Sequence, residues 1–272
     1  MSIALQVALV MVTILVVLLV IGAPIGVAIG MSSAVSMICM IPADVSFATS
    51  AQRIFAGSNS FSLIAIPFFI LAGNIMNNGG IATRLVNCAK VISGRMPGAL
   101  AQSNVVANML FGAISGSGAA AAAAMGGTIG PLEEKEGYDK NYSTAVNVAS
   151  APVGMLIPPS NTMIVYSSVA GSVSIAALFM AGYIPGLLWG GAVMILAGIM
   201  AKKRGYQAEQ RVPVKVALKT FWQAIPSLLL IVIVIGGILG GIFTATEGSA
   251  IAVVYATVLS LIYKAFKIKD IP

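Results

Sequence analysis

The chain alternates between long apolar runs and short polar gaps, and the run lengths set its architecture. A helix needs about 20 mostly apolar residues to cross hydrocarbon. Runs of that order lie at about 3–21, 24–41, 61–78, 142–170, 174–201, 225–243 and 247–266, with Gly22-Ala-Pro24 marking the first turn. Three gaps between them are amphipathic. Segment 43–58 carries Asp44 and Arg53, and segment 81–94 sets Arg84, Asn87 and Lys90 opposite Leu85, Val86 and Ile92. Segment 212–223 places Lys215 and Lys219 beside Val216, Leu218, Phe221 and Trp222. Helices of this kind lie in the headgroup plane; plain connecting loops are the alternative.

The run 98–132 does not fit the same scheme. Basic residues mark cytoplasmic gaps, and Lys202, Lys203, Arg204, Arg211, Lys215 and Lys219 fall in one of them. Counting spans from that gap places Arg84, Lys90, Arg95, the segment Glu133–Lys140, Lys264, Lys267 and Lys269 on the same side. Arg53 is then the one basic residue outside, and the N-terminus is periplasmic. Both flanks of 98–132 are therefore cytoplasmic. Its 35 residues are fewer than the roughly 40 that two crossings and a turn require. Ser115-Gly-Ser-Gly118 at its centre makes a good turn and a poor helix. The pattern predicts a re-entrant hairpin with arms at about 100–114 and 119–132, two short full crossings being the alternative.

A second interruption, Ala149-Ser-Ala-Pro-Val-Gly-Met-Leu-Ile-Pro-Pro-Ser-Asn-Thr162, breaks the run 142–170. An unpaired backbone group in hydrocarbon costs several kcal/mol, so a spanning helix is broken only where the break is enclosed by protein or lines a cavity. Half-helix ends of this kind are the usual build of a transporter's binding site.

Composition agrees: 58% of the 272 residues are hydrophobic and 8% charged, with a mean hydropathy of +0.99. That is an all-α integral membrane protein. The formal charge of +7 sits in the gaps, which argues for orientation in a bilayer and against a nucleic-acid partner. With no histidine and only Cys39 and Cys88, no metal cluster, disulfide framework or Cys/His nucleophile can be built, and an enzyme is disfavoured. Met1 to Val20 reads as a retained span, because it lacks a basic leader and a cleavage site. Ladders at Gly22, Gly26 and Gly30, and at Gly236/Gly240 and Gly237/Gly241, suit close helix packing, as does the run Ala119–Ala124.

The candidate site is assembled from the two breaks. Arm 100–114 and the helix before Gly154 end in free carbonyls, which favour a cation. The elements that begin after Ser117 and around Ser160 offer free N–H groups, which favour a carboxylate. Ser115, Ser117, Ser150, Ser160, Asn161 and Thr162 add neutral oxygens, hard ligands suited to weakly held Na⁺. Gly116, Gly118, Gly154, Pro158 and Pro159 shape the breaks. Each hydroxyl could equally bond to its own helix. Asn74 and Asn108 are weaker candidates, with interhelical bonding an equal reading. Glu247 is either a proton site or the N3 partner of an N-cap at Thr244. The acidic stretch Glu133-Glu-Lys-Glu136 to Asp139 reads as a solvated turn.

Four segments resemble the large membrane subunit of the tripartite ATP-independent periplasmic (TRAP) transporters. They are Ala65-Ile-Pro-Phe-Phe-Ile-Leu-Ala-Gly73 with Met76-Asn-Asn-Gly-Gly80; Phe111-Gly-Ala-Ile-Ser-Gly-Ser117; Gly154-Met-Leu-Ile-Pro-Pro-Ser160; and Leu178-Phe-Met-Ala-Gly-Tyr-Ile-Pro-Gly186. Phe243-Thr-Ala-Thr-Glu247 is similar as well, so the likeness runs over about residues 57–250. The resemblance implies a Na⁺-coupled importer of organic acids such as C4-dicarboxylates, sialic acid or sugar acids, sited in the bacterial inner membrane. It also implies a periplasmic binding protein, a small membrane subunit, no cofactor beyond the coupling ion, and an elevator-like motion. Residues 61–170 would form the transport region, and 1–60 and 174–272 the scaffold. Ser115–Gly118 and Gly154–Thr162 would contact Na⁺ and substrate. Asn161-Thr162 stands where the family more often has an apolar residue and proline, which leaves the substrate open. The family's large subunit has a second hairpin and a second broken helix; this chain carries one set. The expectation is one repeat of an inverted-repeat fold, inactive alone: a fragment of a longer chain, a split-gene product completed by another polypeptide, or the product of a decayed gene. A hairpin-type dicarboxylate or arsenite carrier without a binding protein, and a non-transporting membrane assembly subunit, are the competing readings.

Overall fold

The computed structural model describes residues 3–171, 173–206 and 213–265. Among these, every regular element is helical. Arg211, Lys267 and Lys269, used above for orientation, and Val212, the start of an expected helix, lie outside the described residues. The chain divides into two compact units, Met1–Ser60 and Phe61–Pro272.

The first unit holds α1 (Ile3–Val20), α2 (Ile25–Ile38) and α3 (Ala43–Ser58). Helix α1 is apolar on all sides and buries no residue within the chain, as suits a helix surrounded by hydrocarbon. The expected span 24–41 is shorter in the structure. Its 14-residue helix is about 21 Å long, because Pro42 turns the chain out of α geometry and into α3. Cys39 is exposed there. Helix α3 occupies the expected 43–58, and Ser46 ties it to α2 by donating to the Ala34 carbonyl at 2.7 Å. The glycine ladder is not used for close packing inside this unit: a methyl on Gly22 or Gly26 would meet nothing within 4 Å.

The second unit opens with a single 3₁₀ turn (Phe61–Ile64), followed by α4 (Ala65–Asn78) and α5 (Ile81–Ser93). The hairpin is α6 (Ala99–Ser115) and α7 (Gly118–Thr128), extended by the short α8 (Gly130–Lys135). Three pieces, α9 (Lys140–Ser150), α10 (Val153–Leu156) and α11 (Asn161–Ala170), form the broken run. Three long helices complete the unit: α12 (Ile175–Lys203), α13 (Val214–Leu239) and α14 (Ala245–Ile262). Among the described residues five helices are long and apolar enough to cross a membrane, and the α9–α11 run, bent by 48°, makes a sixth if counted as one span.

Helix α6 is the axis of this unit. Fourteen of its 17 residues are buried, and Leu100, Val105, Phe111 and Ile114 reach into different parts of the core. At about 25 Å it falls short of a full hydrocarbon crossing, and α7 is shorter still. Helix α5 was expected in the headgroup plane. Instead Ile81, Leu85, Val86 and Cys88 are buried in the unit's own core, with α6 and α13 against them, while Ile92 is exposed. Arg84 on its polar face stacks on the Tyr263 ring at 3.4 Å.

The separate interfacial helix expected at 212–223 does not form. From Val214 the chain runs as one helix to Leu239, with Pro226 inside it. The proline frees the carbonyl four residues earlier, at Trp222, and a span tolerates that inside a long helix; Tyr255 of α14 separately donates to the Pro226 carbonyl at 2.8 Å and so ties the two helices. At the start of α14, Thr244 and Glu247 form a reciprocal capping box, so Glu247 is a structural cap. Of the second ladder, Gly237 is closely packed, against the Phe243 ring; the other close packing falls on glycines that the ladders did not single out. On α12, Gly182, Gly186 and Gly190 lie four residues apart, and a methyl on them would collide with Leu156, Ile157 and Met109 respectively. Only one face of the alanine run is packed: Ala121 and Ala124 are buried, whereas Ala119 and Ala123 are exposed.

Candidate functional site

The turn of the hairpin and the break of the α9–α11 run meet directly. Gly116 caps α6 in the left-handed conformation, φ +61°, which a residue with a Cβ adopts at a cost. Its carbonyl accepts from the Asn161 N–H at 3.3 Å, and the Asn161 side-chain amide donates to the Ser115 carbonyl at 3.4 Å. A methyl on Gly112 would overlap the backbone of Gly154, and the reverse also holds. A methyl on Gly118 would press on Met155 and the Ala151 carbonyl. The glycines therefore let two backbones touch.

Both new helices at this junction start on serine caps. Ser117 accepts from the Ala120 N–H at 3.3 Å and Ser160 from the Met163 N–H at 3.4 Å. Ser160 also donates to the Met155 carbonyl across the break. Two helix C-termini, of α6 and α10, thus lie beside two N-termini, of α7 and α11. The arrangement offers carbonyls and hydroxyls to a cation and unpaired first-turn N–H groups to an anion. These are hard, neutral donors that suit an alkali ion. Among the described residues, no three His, Cys, Asp or Glu side chains group where they could hold a metal.

Of the residues singled out in the sequence, Ser115, Gly116, Gly118, Gly154, Pro158, Pro159 and Ser160 are buried at the junction, and Ser117 and Asn161 are half-buried there. The Asn161 side-chain oxygen Oδ1 is enclosed without a hydrogen-bond partner. Thr162 is exposed at the start of α11. Asn74 lies outside the cluster, on an exposed face of α4.

Ser150 and Asn108 belong to a second group nearer the other end of the hairpin. The Asn108 amide nitrogen faces Ser150 Oγ at 2.7 Å, Asn104 Oδ1 at 3.0 Å and Asn147 Oδ1 at 3.0 Å. Asn147 in turn donates to the Ala122 carbonyl of α7 at 2.9 Å. This network binds both hairpin arms to α9, and Asn108 acts in it as interhelical glue.

Sequence reading missed Asn104 and Asn147, because nothing local pairs residues 39 apart. It also missed Gln102, which donates to the Met194 carbonyl of α12 at 2.8 Å. Trp189 of α12 donates to the Ala149 carbonyl at 2.9 Å, satisfying an acceptor in the last turn of α9, where Pro152 ends the ladder. Just beyond the hairpin, the expected solvated turn is corrected at Glu133. That side chain is 1% exposed, enclosed by α6, α7 and α9, while its neighbours Glu134 and Glu136 are exposed. The paired acids differ because α8 turns one side inward.

Residues 12–272 match the family described as "Tripartite ATP-independent periplasmic transporter, DctM component". The chain is 53% identical over 243 residues to a Salmonella typhimurium protein known as "Uncharacterized protein YgiK", covering 88% of this chain and 56% of that protein. It is 38% identical to the C4-dicarboxylate TRAP transporter large permease protein DctM of Rhodobacter capsulatus, covering 82% and 54%. To the sialic acid TRAP transporter large permease protein SiaM of Vibrio cholerae it is 40% identical, covering 78% and 50%. The chain thus spans about half the length of these relatives.

Proposed function

The chain belongs to the DctM component family of the tripartite ATP-independent periplasmic transporters, and we propose that it supplies one hairpin-bearing half of a Na⁺-coupled importer of an organic acid. In this reading it works in the bacterial inner membrane with its N-terminus outside. A small membrane subunit and a periplasmic binding protein are its partners, and the second hairpin comes from further polypeptide. The contact between Gly116 and Asn161 carries the proposal. It joins two helix breaks in an apolar chain and gathers half-helix ends of both polarities around neutral oxygens. Ser115, Ser117, Ser160 and Asn161 are the residues assigned to Na⁺ and substrate, together with the backbone of Gly116–Gly118 and Gly154–Pro159. Residues 61–170 move as the transport region against scaffold formed by 1–60 and 174–272, in an elevator-like step.

Relatives named for a C4-dicarboxylate and for sialic acid make those two acids the first substrates to try. The test is uptake by cells that make the chain together with the polypeptide supplying the second hairpin, the binding protein and the small subunit of its own system. Uptake driven by a Na⁺ gradient, lost in Asn161→Ala while the complex still assembles, supports the proposal. Uptake indifferent to Na⁺ and to that substitution sinks it. Liposomes holding this chain alone are expected to show no Na⁺-driven uptake.

A further inference from the structure

At the end of the hairpin away from its turn, α6, α7, α8 and α9 line a partly open cavity of about 300 Å³. Asn104, Gly126, Glu133, Tyr138, Ser143 and Asn147 are among its walls. Three polar groups there are buried without a well-formed hydrogen bond: both carboxyl oxygens of Glu133, the amide nitrogen of Asn104 and the hydroxyl of Ser143, though the last two lie close enough to act on the carboxyl. A charged carboxylate held this way is costly, and a native fold rarely strands three polar groups in one place. The cavity has room for several waters at about 30 Å³ each beside these polar groups.

We propose that this cavity is a proton-binding site whose acceptor is Glu133, with Asn104 and Ser143 steadying the carboxylate, directly or through water, when the proton leaves. The donors suit that role. An amide nitrogen and a hydroxyl both offer hydrogens to a carboxylate, whereas a metal cation in the same place would face the amide's hydrogens.

The surroundings leave Glu133 as the group that titrates. Helices α6 and α7 contain no titratable side chain. Glu134, Lys135 and Glu136 of α8 and its end are exposed. From α9 and the segment before it come Tyr138, Asp139, Lys140 and Tyr142. Asp139 is engaged by Arg204 at 3.1 Å, and Lys140 is exposed at the cavity wall. Burial pushes the Glu133 carboxyl up to about 7, with Ser143 and Asn104 pulling the other way. The site would therefore exchange its proton near neutral pH. Because both hairpin arms and α9 wall the cavity, each exchange places or removes a charge where those elements meet. The proposal is independent of substrate and Na⁺.

The test is an infrared pH titration of the purified full chain in lipid, following the carboxyl and carboxylate bands. The chain has eight Asp and Glu side chains, and ordinary ones titrate near pH ~4. The expected result is one carboxyl with a midpoint near pH 7 that is absent in Glu133→Gln and whose midpoint rises in Ser143→Ala. The assignment is overturned if every carboxyl titrates below about pH 5.5, or if the neutral-range band survives in Glu133→Gln. It is also overturned if the midpoint falls steeply when Na⁺ replaces choline, which would make sodium the resident ion. Should Glu133→Gln fail to fold, Ser143→Ala keeps the carboxyl and decides by its shifted midpoint.

Discussion

At its turn the hairpin meets the broken span through backbone carbonyls, N–H groups and hydroxyls; toward its other end it meets the same span through carboxamides and a buried carboxyl. The first contact rests on two hydrogen bonds of 3.3 and 3.4 Å and on glycines that let backbones touch. The second rests on an amide nitrogen facing three side-chain oxygens at 2.7–3.0 Å. Long bonds between half-helix ends suit a contact that opens and closes. A short, fully buried amide network suits one that stays shut. The hairpin therefore reads as a lever fixed near its base and free at its turn.

The largest effect separating the two ends should come from Gly112→Val. Its side chain would occupy the Gly154 backbone, and overpacking of this kind costs about 1–3 kcal/mol or more. The expected outcome is loss of folded protein from the membrane, read by yield of monodisperse chain. Asn108→Ala comes next. Stranding the buried oxygens around it should cost about 1–3 kcal/mol and lower Tm by several degrees, whereas Asn161→Ala at the turn should move Tm far less and abolish uptake. Equal destabilisation by the two would break the contrast.

Glu133→Gln probes the base differently. The fold favours the protonated carboxyl, since the folded value is about 7 against an ordinary ~4. Wild-type stability should therefore be greatest below the ordinary value, fall as pH rises toward 7, and level off above it. The glutamine variant should lack that decline and exceed wild type in Tm at pH 8. The smallest effect belongs to Glu247→Ala, which removes half of an exposed capping box outside both ends; a slight fall in Tm with no change in uptake is expected.

How much was legible follows from the same contrast. A turn at the hairpin demands a left-handed residue, close backbones and N-caps, so it writes itself locally as Ser115-Gly-Ser-Gly118. The prolines and Ser160 announce the other break in the same way, and both were found. The base was opaque because its partners are joined by tertiary proximity alone: Asn108 finds Asn147 and Ser150, 39 and 42 residues on. Glu133 was read as solvated because the acids around it are, and only the packing of α8 sets it apart. Lys215 and Lys219 suggested a helix separate from the span that follows. In the structure the two are one helix, Val214–Leu239, which runs on through Pro226. Glycines on α12 went unnoticed since Gly182, Gly186 and Gly190 sit in an unbroken apolar run, where composition looks the same whether a face meets lipid or backbone.

The indole of Trp189, bonded to the Ala149 carbonyl at the edge of the break, has an optical consequence. The chain has only one other tryptophan, Trp222, which is 65% exposed on α13. Replacing Trp222 with phenylalanine leaves a single tryptophan, whose excited-state dipole is anchored to the last turn of α9. Its emission maximum and lifetime then report, without any attached dye, whether that turn stays seated on α12 as ions and acids are added.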